Sequence, residues 1–154
     1  MGDLQRTVEA EADAVLHFVE LLKLEQEALA NGETDKLIQF AESKGSISSE
    51  LGALATQRNS LLATLGLTAD RTGVEAWIAH HPTNTRLPKA WARILSLAAE
   101  ARELNRVNGE LIQIRMLHNT QALATLLSAS RSLNLYGPDG QTAPSSSRRI
   151  DDAV

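Results

Sequence analysis

LQRTVEAEADAVLHFVELLKLEQEALA, residues 4–30, decides the fold class. Val8, Ala12, Val15, Val19, Leu22, Gln26 and Leu29 follow one another in alternating steps of four and three, and all but Gln26 are apolar. Sustained 4-3 spacing marks helices packed side by side, rather than one helix lying on a sheet. Asn31 and Gly32 then supply the left-handed stop expected at a helix C-terminus.

Thr34 or Asp35 is expected to cap a second helix over roughly 35–66, with a seam of Leu37, Phe40, Lys44, Ile47, Leu51, Leu54, Arg58, Leu61 and Leu65. So short a connection makes the two helices an antiparallel hairpin. Lys44 and Arg58 interrupt the seam. They are expected to snorkel past it or to pair with acids of the first helix and set the register. Gly45 and Gly52 either permit a close helix crossing or lie on an exposed face, and the sequence leaves both open.

Residues 66–86 connect the hairpin to the last helix. Val74, Trp77 and Ile78 predict a short helix docked by its apolar side and ended by Pro82 and the Thr-Asn-Thr run. His80 and His81 point about 100° apart on a helix, with no cysteine or carboxylate at ligand spacing. No metal site is expected there, nor at His17 or His118.

The final helix is expected to start near Leu87 or Pro88, since proline is accepted only in the first turn, and to reach about Leu133. At about 1.5 Å per residue it is roughly 70 Å long, against roughly 40 to 48 Å for the hairpin helices. Part of it must overhang, kink or bind something else. Leu104, Val107, Leu111 and Ile114 make one apolar stripe, and Ile112, Met116, Leu123 and Leu127 a neighbouring one. A face so broad is covered by the rest of the chain or marks an interaction site. Asn105-x-x-Asn108-Gly109 sits near mid-helix, as a kink, a polar register pin, or the boundary between a half that packs in the chain and a half that binds a client. Pro138, Asp139 and Gly140 suit a type I turn. Residues 137–154 read as a flexible tail after a single helical domain of residues 1–136.

Composition agrees with an all-α chain. Hydrophobic residues are 43% but aromatics only 3% of 154 residues, which favours helix interiors over a pleated surface. A net charge of −4 supplies no field for nucleic acid or an anionic membrane. The absence of cysteine excludes disulfides, thiol catalysis and cysteine-ligated metal. Neither a signal-peptide pattern nor an apolar run of about 18 residues is present, so a cytoplasmic location without membrane insertion is expected. No phosphate-cradling glycine loop, nucleophile motif or separable carboxylate pair points to an enzyme, and no cofactor is expected.

The order of these features resembles the FlgN family of flagellar type III export chaperones over most of the chain. The likeness rests on the heptad first helix, the lysine-bearing second helix, the tryptophan-containing connection, N-x-x-N-G-E-L-I at 105–112 and L-Y-G-P-D-G-Q-T at 135–142. The last two are its specific part. The resemblance implies a cytoplasmic helical chaperone that binds the C-terminal helical segments of hook-filament junction proteins, prevents their premature assembly and delivers them to the export gate. By that likeness the last helix is the client-binding element. Helix-in-groove recognition then selects Leu111, Ile112, Met116, Leu123, Leu126 and Leu127 as its anchors, with Met116 able to repack against different clients. Tyr136 matches the tail tyrosine that would dock the chaperone on the cytoplasmic domain of the membrane export gate; folding back onto its own helix is the alternative. A free chaperone can bury its client face as a homodimer. From the heptads alone, a structural coiled-coil protein that self-associates through its stripes is the competing reading.

Overall fold

Four α-helices follow one another in the computed structural model, which describes residues 2–135. They are α1 (Gly2–Ala30), α2 (Leu37–Thr64), α3 (Arg71–His80) and α4 (Arg86–Leu135), with a 3-10 turn at Thr34–Lys36 before α2. Among the described residues there is no strand. The chain divides into two units, Met1–Ile112 and Gln113–Val154.

In the first unit, the heptad positions of α1 form the spine of the core: Val8, Ala12, Val15, Val19, Leu22 and Leu29 are all buried. Ion pairs fix the helix directions. Glu11 with Arg58 and Glu25 with Lys44 run antiparallel, making α1 and α2 a hairpin. Glu9 with Arg86 (2.9 Å) and Lys23 with Glu100 (3.2 Å) run parallel, so the start of α4 lies along α1 in the same direction. The short α3 makes this up-down-up path possible. Its Val74 and Trp77 pack among Leu4, Val8, Leu62, Leu87 and Trp91 at the end where α2 stops and α4 begins.

Local chemistry ends the helices where they end. Gly32 (φ 72°) and Gly66 (φ 75°) take the left-handed conformation after α1 and α2. Glu33 N then donates to Ala28 O and Leu67 N to Leu62 O, both at 2.9 Å, satisfying carbonyls a helix C-terminus would leave bare. Asp70 caps α3 by accepting from Gly73 N at 3.0 Å. Bonds from the Thr68 hydroxyl and then from Gly73 N hold the Asp70 carboxyl below its ordinary range. A lowered folded-state pKa means this cap is intact above the usual carboxylate pKa and is lost as acid titrates it.

Two expectations for α2 need correction. Neither Thr34 nor Asp35 caps it; both lie in the 3-10 turn, and the N-cap residue Lys36 makes no side-chain cap bond. The tight turn closes on the backbone instead, with Thr34 N bonded to Gly32 O and Lys36 N to Glu33 O. The seam also closes on Leu62 rather than Leu65, which is 53% exposed because the chain leaves the helix at Thr64 before the seam's last position.

Gly45 and Gly52 are exposed, and a Cβ at either meets nothing within 4 Å. They mediate no close crossing. Gly45→Ala and Gly52→Ala are each expected to stabilise the chain by about 0.5–1 kcal/mol, read as a higher urea midpoint, since they lower unfolded-state entropy without a clash.

Candidate binding face on the long helix

The buried polar residues at the far end of the first unit anchor α4. Asn108 is fully buried, and its Nδ2 donates to Leu22 O and to Glu25 Oε1, both at 2.9 Å. Glu25 is only 2% exposed, and Lys44 Nζ lies 3.1 Å from both of its oxygens. One carboxylate thus joins α1, α2 and α4. Such a group is retained in a core only when its lone pairs are filled, and filling them from three helices fixes their register. Arg58 plays the matching part at the other end, pairing with buried Glu11 while its guanidinium lies 5.3 Å from the Trp91 ring centroid. Both cations that interrupt the α2 seam therefore pair with acids of α1, one of the two fates expected for them. Asn108 is a register pin, and α4 is helical through Gly109.

Leu111 and Ile112 are half-buried at the end of the first unit. In the second unit, every residue from Gln113 to Arg131 is exposed except half-buried Arg115. Met116, Leu123, Leu126 and Leu127 are 48–67% exposed. At about 100° per residue they fall within an arc of roughly 100° on α4, with Asn119 between them. Ile114 is exposed on the opposite side, and exposed Leu117 lies about 80° beyond Leu127. The Thr120 and Thr125 hydroxyls donate to Met116 O and Gln121 O, each at 2.9 Å, so their protons are spent on the helix itself. What remains is an apolar stripe whose chemistry is contact burial. Tyr136 and the tail of residues 137–154 lie outside the described residues.

Among the described residues, no group of three or more His, Cys, Asp or Glu could hold a metal ion, and no helix is long and apolar enough to cross a membrane. Gly73 and the polar neighbours of Trp77 are not marked by helix periodicity. The Asp70-x-x-Gly73 spacing before an apolar turn was the available signal for the first.

The family model described as FlgN protein matches residues 1–144. The chain belongs to the FlgN family. Flagella synthesis protein FlgN of Yersinia enterocolitica is 34% identical over 139 residues, 83% of this chain and 84% of that protein. Another protein of that name and species is 39% identical over 97 residues, 58% of this chain and 63% of its own length, so that match spans less than two thirds of the relative. Flagella synthesis protein FlgN of Proteus mirabilis is 27% identical over 143 residues, 92% of this chain and 90% of that protein. No solved structure matches the chain. Membership of the FlgN family places it in flagellum biogenesis.

Proposed function

We propose that this FlgN-family chain is a cytoplasmic export chaperone, without enzymatic activity, that lays an amphipathic client helix along α4. Its clients are the C-terminal helical segments of flagellar hook-filament junction proteins, which it keeps from premature assembly and delivers to the export gate. The observation that carries this reading is the one-sided row of Met116, Leu123, Leu126 and Leu127. A large apolar side chain left in water forgoes roughly 1.5–3 kcal/mol, which a docked helix recovers. Leu111 and Ile112 extend the anchor set, and Met116 supplies an adaptable thioether.

Leu123→Asp is expected to abolish co-elution with client C-terminal peptides on a sizing column while leaving the far-UV spectrum unchanged, because Leu123 is exposed. Retained co-elution would remove α4 from the client site. A stable dimer that refuses the peptide would instead favour self-association through the same stripe.

Tyr136 serves delivery in this reading, since a tyrosine offers large apolar area and a hydrogen-bonding tip for a reversible contact. Tyr136→Ala is expected to keep client affinity within about twofold and to weaken capture by the cytoplasmic domain of the export gate by tenfold or more. Equal capture of the two proteins defeats the docking role.

A further inference from the structure

A cavity of about 500 Å³ lies in the first unit beside Leu4, Leu61, Leu65, Leu67 and Trp77. Its polar lining is Asp3, Thr64, His80 and His81. Existing hydrogen bonds fix what these four still offer. Thr64 donates its hydroxyl proton to Leu61 O at 2.7 Å, so only its lone pairs remain. His80 Nδ1 lies 2.6 Å from Ala76 O and His81 Nδ1 2.7 Å from Trp77 O. A carbonyl only accepts, so Nδ1 carries the proton in both rings and the neutral imidazole keeps an acceptor at Nε2. His81 is further held by stacking on Trp77, with ring centroids 3.9 Å apart and planes inclined by 14°. Asp3 adds a carboxylate that shares an exposed pair with Arg6. Exposed pairs of this kind are weak and exchange readily.

The polar lining is thus made of acceptors set against aliphatic and indole surface. We propose that this cavity takes a cationic head on an aliphatic stem, the lysine or arginine side chain of a peptide partner. An ammonium brings three donors and no acceptor, and a guanidinium five and none. Their methylene stems bury against the leucines while the charge meets the acceptors. A carboxylate or phosphate in the same place would meet the lone pairs of Thr64, His80 and His81 and the charge of Asp3, with only the Trp77 indole N–H as a lining side-chain donor. The volume lies within the range of small-ligand sites, about 300–1,000 Å³. The cavity lining shares no residue with the proposed client face of α4.

The test is an NMR titration of the ¹⁵N-labelled full chain at pH 7.5. The probes are hexylammonium, hexanol, hexanoate and the blocked tripeptide alanyl-lysyl-alanine. Hexylammonium and the tripeptide are expected to shift the Trp77 indole and the Leu65 and His80 amides at millimolar concentration, with hexanol roughly threefold and hexanoate at least tenfold weaker. His80→Lys, which sets a cation among the acceptors at an exposed position, is expected to abolish these shifts without altering helix content. Hexanoate binding as tightly as hexylammonium, or shifts that survive His80→Lys, overturns the charge assignment. Binding of hexylammonium without the tripeptide overturns the peptide partner, and silence from every probe overturns the site.

Discussion

Asn108→Asp is expected to destabilise the first unit by about 3–5 kcal/mol at pH 7.5, with the difference from the parent protein shrinking steadily towards pH 4. In the parent, Asn108 Nδ2 gives its two protons to Leu22 O and Glu25 Oε1 at 2.9 Å. The aspartate puts one oxygen, in the place of Nδ2, against both of these acceptors, in a position without solvent exposure. Lys44 alone cannot neutralise two carboxylates. One proton must therefore stay in the pair, which raises the folded-state pKa of the new carboxyl above its unfolded value of about 3.9. A raised folded-state pKa means the variant's folded state is fully supported below the unfolded pKa and loses that support as pH rises through the folded one. Urea unfolding of both proteins at pH 4.5 and 7.5 measures the effect. A loss below about 1 kcal/mol, or one equal at the two pH values, would show that Asn108 is not the register pin.

The fold was legible in the sequence where burial depends on one helix face. The α1 heptad is an example, since every apolar position in it is buried. Lys44 and Arg58 were legible for a related reason: a cation inside an apolar seam must reach solvent or an acid, and α1 offers Glu25 and Glu11. The thin burial of α2, where Leu62 alone is fully covered, was not legible, because it depends on where α3 and α4 pack. The apolar stripe of α4 was readable, but its exposure was not. Leu111 and Ile112 have the same character as Leu126 and Leu127, yet only the first two are partly covered, in the unit that Asn108 pins. The acceptor-lined cavity was hidden for a different reason. It needs Asp3, Thr64 and two histidines from separate helices, and its chemistry depends on which proton each has already given away.

Gly73→Ala is expected to lower the melting temperature by about 10 °C, the reverse of the effect expected at Gly45 and Gly52. An alanine Cβ at position 73 would stand 1.8 Å from Thr68 O and 2.9 Å from Thr68 C. Both obstructing atoms are backbone, so no side chain can rotate aside. Moving Thr68 is costly because its hydroxyl donates to Asp70 Oδ1 at 2.7 Å, the oxygen that also caps Gly73 N, and because neighbouring Leu67 is tied to Leu62 O at 2.9 Å. Moving α3 instead withdraws Val74 and Trp77, 0% and 2% exposed, from the core they share with Leu4 and Val8. Either adjustment costs on the order of 3 kcal/mol or more, which outweighs the helix-propensity gain of about 1 kcal/mol that alanine brings. Thermal unfolding followed by tryptophan fluorescence reads the outcome at Trp77 and Trp91, which share the core that α3 packs into. An unchanged melting temperature would mean that the Thr68 turn yields freely and that α3 is not locked to the end of α2. The sign contrast carries the physical content: the same substitution relieves a helix where a Cβ meets open water, and breaks one where it meets a carbonyl.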